Sequence, residues 1–315
     1  MALQLVWFKR DLRLEDHRPL IQALALGDVL PLYIVEPDLW RQQDASGRQW
    51  AFCREALLDL QQAMAALGQP LVIRRGDAVA VLERARRQLG VSGLWSHEET
   101  GNDWTYARDK RVAAWARERS IPWREVPQFG VVRPLRTRGG WARRWEERMA
   151  EPITPAPTHF EPLQGVSPGE LPSAAELGLE PDPCPHRQHG GRHAGLNELE
   201  HFLDQRVEQY CQSISSPNRA FTGSSRLSTY LTWGCLSMRE VLSAVVRAGD
   251  AGRAVLARDF TGTVISSRSW RINPQSSGRT FTLSCVISEI LMPSVWRPGL
   301  KAVLECLLWM PACGL

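Results

Sequence analysis

The hydrophobic positions of the first 130 residues alternate between short apolar runs and helical repeats. Short apolar runs bounded by polar residues predict five strands, over residues 5–8, 29–35, 70–74, 93–96 and 122–126. Apolar residues that recur every three or four positions predict helices over residues 17–26, 50–67, 78–89 and 103–119. Strands and helices that alternate at this spacing pair their strands in parallel. The pattern therefore predicts an α/β fold with a doubly wound, Rossmann-like parallel sheet.

The periodicity disappears between residues 152 and 191, where Pro, Ser, Gly and acidic residues dominate. Such a long structureless stretch is uncommon within one core, and we interpret it as an extended interdomain linker. Helical periodicity returns from Leu196, and helices are also predicted over residues 227–231 and 237–246. We expect an N-terminal α/β domain at 1–130, a linker at 131–190 and the start of an all-α domain at 191–257.

Composition and charge narrow the class of protein only slightly. The 315 residues are 43% hydrophobic and 23% charged, as in ordinary globular proteins. A net charge of +4 and a pI of about 8.8 are compatible with a nucleic-acid partner without establishing one. The seven cysteines form no Cys-x-x-Cys pair, which favours neither zinc nor disulfides and fits a reducing compartment. Without a signal peptide or an apolar run of ~20 residues, we expect a cytoplasmic monomer with no membrane partner.

The first motif is residues 5–17, with the sequence L-V-W-F-K-R-D-L-R-L-E-D-H. An apolar run stops at a dense block of alternating charges, which suits a buried strand followed by a charged loop. Open α/β sheets build their ligand crevices at the carboxyl ends of the strands. The residues alone leave two interpretations open, a ligand site or a solvated loop whose charges pair with each other.

The second motif is residues 223–237, with the sequence G-S-S-R-L-S-T-Y-L-T-W-G-C-L-S. A glycine and several hydroxyl residues lead into a predicted helix. Free backbone N–H groups at a helix start, with serine hydroxyls beside them, make a phosphate cradle. A plain serine-rich N-cap explains the same residues.

Both motifs resemble the DNA photolyase and cryptochrome family, which has V-W-F-(K/R)-R-D-L-R-L-x-D-H and G-T-S-R-L-S-P-Y-L-x-x-G-x-L-S at these places. The resemblance implies an N-terminal antenna domain followed by an all-α FAD-binding domain. Ser224 stands where the family has Thr, and Thr229 where it has Pro. The resemblance assigns FAD contacts to Tyr210, Ser224, Ser225, Arg226, Leu227 and Ser228. Arg206, which precedes Tyr210, is expected to contact the DNA backbone.

The activity that the resemblance implies is light-driven repair of cyclobutane pyrimidine dimers in DNA, a carbon–carbon lyase reaction that uses an electron from reduced FAD. A dimer already stacks poorly, so it is extruded from the duplex at lower cost than normal bases. Phosphate contacts by Arg and Lys would make the affinity for DNA salt-dependent. Two alternatives remain, a cryptochrome-type blue-light receptor and an inactive truncated product.

A second, antenna chromophore, either a folate or a deazaflavin, accompanies FAD in parts of the family. The folate branch holds its antenna with an Asn-Glu pair, and the alignment places Trp104 and Thr105 at that pair. This departure argues against a folate and leaves a deazaflavin or no antenna open.

Two further sequences carry weaker signals. The cluster of His97, Glu98, Glu99 and Asp103 suggests a metal site, but a polar loop after the fourth strand is the simpler explanation, and we expect no metal. Residues 141–145, W-A-R-R-W, mix aromatic and basic side chains as single-strand binders do. An amphipathic helix explains them equally well.

The resemblance ends near Ala257. In a shifted frame with freely chosen synonymous codons, residues 258–282 can encode R-L-H-W-H-C-H-F-I-Q-K-L-E-D-Q-P-A-I-E-W-P-N-F-H-P, whose start is similar to the family's R-L-x-W-x-x-H-F-x-x-K-L-E. The same shift over residues 296–313 permits E-A-W-x-x-G-R-T-G-(V/M)-P-x-V-D-A-C-M-R, similar to the family's G-R-T-G-x-P-x-V-D-A. The single codons of Trp309 and Met310 force the D, and Met310 followed by proline forces the A. We hypothesise one insertion or deletion between about codons 245 and 257, which makes residues 258–315 an out-of-frame tail. Catalytic residues are therefore not assigned.

Overall fold

The computed structural model describes residues 2–129, 141–213 and 216–249 and contains a five-stranded sheet. The strands lie in the order β3-β2-β1-β4-β5, and every neighbouring pair runs parallel. They are β1 (Gln4–Phe8), β2 (Val29–Val35), β3 (Val72–Arg75), β4 (Gly93–His97) and β5 (Trp123–Val126). The predicted doubly wound α/β fold is confirmed.

Eleven α-helices occur in the described part of the chain. They are α1 (Arg18–Leu24), α2 (Pro37–Trp40), α3 (Gly47–Ala66), α4 (Ala78–Leu89), α5 (Asp103–Glu118), α6 (Trp141–Met149), α7 (Arg192–Gln205), α8 (Tyr210–Ser213), α9 (Pro217–Gly223), α10 (Ser228–Thr232) and α11 (Met238–Arg247). Helices α2 and α9 are not predicted from the sequence because they are too short to show a clear helical repeat. The helices predicted after residue 196 begin and end within a few residues of α7, α10 and α11.

Local capping explains where several helices begin and end. Ser46 and Gln49 form a reciprocal capping box at the start of α3, and Ser237 and Glu240 form another at the start of α11. Helix α4 ends at Gly90, whose φ of 69° is the left-handed conformation that glycine adopts without strain. These caps hold long helices at fixed places against the sheet.

The strand order reverses between β1 and β4, so the crevice of the sheet lies at their carboxyl ends. Helices α1 and α3 cover one face of the sheet, and α4 and α5 cover the other. The first face packs against the helices after residue 191, because one apolar core includes Phe8 and Trp50 together with Phe202 and Tyr230. The second face is a separate core with Trp7 and Trp115. The described helices after residue 191 therefore pack on the α1/α3 face.

The Pro-rich segment after α6 is extended, but it packs closely on the α/β region. Phe160 and Leu177 are buried in the same core as the helices, and Leu177 lies in a 3-10 helix (Ala175–Leu177). The Pro168 carbonyl accepts a hydrogen bond of 2.6 Å from Ile73 N–H, which covers part of the exposed edge of β3. The segment is thus extended, as predicted, and also a packed part of the structure.

Within the described residues, no helix is both long enough and apolar enough to cross a membrane. The domain boundaries at residues 130, 190 and 257 stay predictions. The proposed out-of-frame tail lies outside the described residues.

Candidate functional site

The loop after β1 docks onto the loop after α10, so the two sequence motifs contact each other. Leu12 N–H donates to the Trp233 carbonyl at 3.0 Å, and the Arg13 guanidinium donates to the Gly234 carbonyl at 3.1 Å. Gly234 has a φ of 65°, and a Cβ there would lie 2.4 Å from the Arg10 carbonyl oxygen. Only glycine allows the two backbones to approach this closely. The first motif therefore holds the second in place.

Four charged side chains extend this contact between distant parts of the chain. The Arg239 guanidinium donates to both carboxylate oxygens of Asp16, at 2.9 and 2.6 Å, in the bidentate geometry that strengthens such pairs. Glu151 pairs with Arg239 at 3.2 Å and with Arg18 at 2.6 Å. Asp16 has a φ of 56°, a strained conformation for a residue other than glycine. The ion pairs tie α1, the segment after α6, and α11 together.

Tryptophan side chains line the same junction. The Trp233 ring stacks on Trp40 with 5.8 Å between ring centroids, and Trp40 meets Trp50 edge-on at 4.8 Å. The Arg10 guanidinium lies 5.4 Å from the Trp233 ring, a cation–π contact. This packing agrees with a structural use of the abundant tryptophans.

Asp11 lies at the bottom of the first loop and is fully buried between two histidines. Its Oδ2 is 2.9 Å from His17 Nε2 and 2.8 Å from His97 Nδ1, while its Oδ1 accepts Lys9 N–H at 2.6 Å. His17 Nδ1 accepts Leu20 N–H, so we assign the proton to its Nε2. Burial alone would raise the pKa of Asp11, but the hydrogen bonds from His17 and His97 hold it well below its usual value.

This Asp-His-His group also has side chains that could bind a metal ion. Separations of 2.8–2.9 Å between oxygen and nitrogen are hydrogen-bond lengths, and the described contacts satisfy Asp11 without a metal. Burial, and then the neighbouring His17, lower the pKa of His97 to about 3, so His97 stays neutral and donates to Asp11. The sequence grouping of His97 with Glu98, Glu99 and Asp103 is not the grouping that the structure shows.

A second buried ionic cluster lies beneath the crevice, on the α4/α5 side. The Arg108 guanidinium is shared by Glu36 at 2.7 Å, Glu99 at 2.5 Å and Asp109 at 2.8 Å. Lys9 is buried beside them, 3.5 Å from Asp109. The charges of the first motif thus pair with each other and with neighbouring elements, and most of them are buried rather than solvated.

Three carboxylates sharing one guanidinium have an electrostatic consequence for Glu36. Burial, together with the charges of Glu99 and Asp109, raises the pKa of Glu36 to about 7 despite its bond to Arg108. Because the folded pKa exceeds the ordinary value of 4.5, this contribution to stability is full below pH 4.5 and is lost as the pH rises through 7.

We therefore expect Glu36→Gln to raise the free energy of unfolding by about 3 kcal/mol at pH 8 and to change it little at pH 4. Urea unfolding at the two pH values measures this difference. Glu118→Gln, at an exposed position near the end of α5, is the control and should have little effect at either pH. An equal effect of Glu36→Gln at both pH values would contradict the raised pKa.

The crevice above these clusters is small in the described structure. Its cavity of about 20 Å³ holds about one water molecule. Arg10, His97, Gln128 and Thr232 are among its lining residues.

The second motif forms a short irregular segment between two helices. Helix α9 ends at Gly223, and α10 begins at Ser228 without a side chain capping its N-terminus. Within the described part of the chain, the N–H groups of residues 225–227 donate no backbone hydrogen bond. Arg226 has a φ of 54°, and its guanidinium lies 4.7 Å from the Phe221 ring. Free N–H groups and partly exposed serines are the donors that a diphosphate requires.

Neighbouring elements hold this segment in its irregular shape. Gln188 donates to the Arg226 carbonyl at 2.8 Å and accepts from the Thr229 hydroxyl at 3.3 Å. A Cβ on Gly223 would lie 2.3 Å from the Ser213 side chain, so α8 approaches the start of the segment closely. Tyr210, the first residue of α8, is buried against Phe202, with 5.3 Å between ring centroids. The structure thus brings the Tyr210 helix next to the serine segment.

Comparison with known proteins agrees with these two motifs. Residues 4–158 match the family described as DNA photolyase. A deoxyribodipyrimidine photo-lyase of Thermus thermophilus is 30% identical, over 86% of this chain and 62% of the relative. The chain belongs to the DNA photolyase and cryptochrome family. A cryptochrome DASH of Gloeobacter violaceus is 29% identical over 75% of this chain and 52% of the relative.

A solved structure in the photolyase and cryptochrome family has the same fold. The class III photolyase from Agrobacterium tumefaciens superposes with a TM-score of 0.74 at 21% identity, covering 87% of this chain and 60% of that one. This photolyase-family chain spans about half to three-fifths of the length of the relatives named here.

Arg206, the sequence-predicted DNA contact, has a different environment from the one that its proposed role requires. Arg206 is buried and paired with Glu198, so a DNA contact by Arg206 stays a prediction that requires this ion pair to open. Thr105 is buried with its hydroxyl bonded to the Asn102 carbonyl, and Trp104 lies 5.8 Å from Arg108. Residues 141–149 are helical.

Proposed function

We propose that the chain belongs to a flavin-dependent DNA photolyase that splits cyclobutane pyrimidine dimers in light. The observation that carries the proposal is the uncapped α10 start, preceded by free N–H groups and serines, in the segment that the family uses for FAD. Reduced FAD, when bound, supplies the electron that splits the dimer. The residues proposed to hold its diphosphate are Ser224, Ser225, Arg226, Leu227 and Ser228, with Tyr210 beside them.

The chain's own contribution to this activity is binding and positioning. Gln188 and the docked first loop hold the irregular segment open, so its N–H groups need no rearrangement to meet an anion. Arg226 is half-exposed and has no acidic partner among the described residues, which leaves its charge available to a phosphate.

The proposal is tested on the purified full chain by its visible flavin absorbance and by blue-light repair of an oligonucleotide with one thymine dimer. Bound flavin and light-dependent repair are expected. A colourless protein would overturn the proposal and agree with an inactive truncated product. Reading the gene through codon 315 in all three frames then tests whether a frameshift removed the remaining flavin domain.

A second candidate function is a cryptochrome-type blue-light receptor, which the cryptochrome DASH relative favours. It predicts bound flavin without repair of dimers in duplex DNA. The repair assay with the coloured protein separates the two candidates.

Introducing a negative charge at the serine segment is expected to remove the flavin. Ser225→Asp or Ser228→Asp would repel a diphosphate, and we expect at least about tenfold less bound flavin per chain, or ~1.4 kcal/mol in affinity. The matched control is Ser243→Asp on α11, where Arg247 lies 2.6 Å from the serine hydroxyl. Equal flavin content in all three variants would show that the segment does not hold the diphosphate.

A further inference from the structure

Helices α4 and α5 and the end of β3 form a strongly basic surface on the face of the sheet that the helical part leaves uncovered. Nine basic and four acidic residues lie outside the buried clusters on these elements, an excess of five positive charges, whereas the entire chain has a net charge of +4. The basic residues are Arg74, Arg75, Arg84, Arg86, Arg87, Lys110, Arg111, Arg117 and Arg119, and the acidic residues are Asp77, Glu83, Asp103 and Glu118.

Cross-helix ion pairs make this surface one continuous unit. Arg119, the C-cap of α5, reaches Glu83 of α4 at 3.5 Å, and Arg111 of α5 reaches Asp77, the N-cap of α4, at 2.8 Å. Glu83 also holds Arg86 and Arg87, at 2.9 and 2.7 Å. One carboxylate therefore gathers three guanidinium groups and leaves most of their charge uncompensated.

Two arginines of this surface, Arg74 and Arg84, also lie near each other without an acidic side chain between them. The Arg74 guanidinium is held by hydrogen bonds to the Ile73 and Ser167 carbonyls, at 2.7 and 2.9 Å. Burial and then the nearby positive charge of Arg84 lower the pKa of Arg74. Such repulsion is unfavourable in the free protein, and a bound polyanion would relieve it.

We propose that the α4/α5 basic face, formed by Arg74, Arg84, Arg86, Arg87, Arg117 and Arg119, binds the phosphate backbone of nucleic acid. This face lies on the opposite side of the sheet from the serine segment, so it is a second surface, separate from the flavin region. Its contacts go to phosphates and are independent of base sequence.

The choice of nucleic acid over a membrane follows from the side chains around the arginines. Helices that lie on membranes insert large apolar residues beside their cations. Among the described residues, Tyr106 is the one large apolar side chain well exposed on α4 or α5, and Lys110 lies 4.1 Å from its ring. The choice of DNA as the nucleic acid to test rests on the proposed function.

The test measures binding of an undamaged DNA duplex by the full chain over a range of salt concentrations. For the triple variant Arg84→Gln, Arg87→Gln and Arg117→Gln, we expect the slope of log affinity against log salt to fall by about two to three. The affinity near 0.1 M salt should fall at least about tenfold. These positions leave Arg86 and Trp115 on Glu83, so the contact between helices is kept.

The matched control is Arg41→Gln, Arg54→Gln and Arg143→Gln, which removes the same charge from the C-cap of α2, from α3 and from α6. A smaller change in the control supports the α4/α5 basic face. An equal loss in both variants, no measurable binding of DNA by the unmodified chain, or loss of binding to phosphatidylserine vesicles with DNA binding unchanged, would overturn the proposal. Flavin content is measured on the same samples, so a failure of the proposed function is recognised separately.

Discussion

Replacing Gly234 with alanine is expected to lower the free energy of unfolding by about 3 kcal/mol and to remove any bound flavin. The added Cβ would lie 2.4 Å from the Arg10 carbonyl oxygen and 2.5 Å from Asp11 Cα, both backbone atoms that cannot rotate away. Overpacking costs about 1–3 kcal/mol, and a left-handed φ at a non-glycine residue costs about 1 kcal/mol more. Urea unfolding and the visible absorbance of the purified variant measure the two effects.

Gly90→Ala is the matched control for this substitution. Gly90 has nearly the same φ, 69° against 65° for Gly234, but a Cβ there would meet nothing within 4 Å. We expect it to cost about 1 kcal/mol, the backbone strain alone. Equal costs at the two positions would mean that the two loops are not tightly docked.

The fold could be predicted because buried strands are visible in the sequence as short apolar runs. All seven residues of β2 are buried, and its observed bounds, Val29–Val35, are those that the apolar run predicts. The capping residues Asp77 and Gly90 likewise bound α4 at its predicted ends. No comparable pattern predicts helix α9, since its seven residues complete only about two turns.

The contacts within the candidate site were less predictable, because they join residues that are far apart in the chain. Leu12 and Trp233 are bonded across more than 200 residues, and neither side chain indicates that contact. The charges of the first motif have the alternating pattern of a surface loop, although Asp11, Arg13 and Asp16 are buried. Their partners come from β4, α11 and the segments after β5, α6 and α10, which a local pattern cannot reveal.

The contacts of Gln188 were also not predictable, because Gln188 lies in a segment that was interpreted from its composition. The linker was recognised by its Pro, Ser and Gly content, which indicates the absence of regular structure and nothing about single contacts. Yet Gln188 bonds both sides of the Arg226–Thr229 turn.

Asp11→Asn is expected to lower the free energy of unfolding by about 3 kcal/mol at neutral pH. The carboxylate accepts hydrogen bonds from His17, His97 and Lys9 N–H, and all these partners are donors. An asparagine would present an amide N–H to one of them, so it would lose a bond and leave buried donors facing each other. A buried donor without a partner costs about 1–3 kcal/mol, and the loss of a charged acceptor adds to this cost.

The control for Asp11 is Asp38→Asn, which removes an exposed carboxylate paired with Arg41 at 2.8 Å. Exposed pairs contribute less than about 1 kcal/mol, so this variant should unfold nearly like the unmodified chain.

The free energy of unfolding measured at acidic pH separates the effect of the Asp11 charge from the effect of its packing. Because the pKa values of Asp11 and His97 are both lowered, stability is lost as the pH falls, from about 6.5 for His97 and at lower pH for Asp11. Asp11→Asn should therefore keep the loss that begins near pH 6.5, which comes from His97, and weaken the further loss below pH 3.8. An unchanged loss of stability below pH 3.8 would contradict an ionised Asp11 in the folded protein.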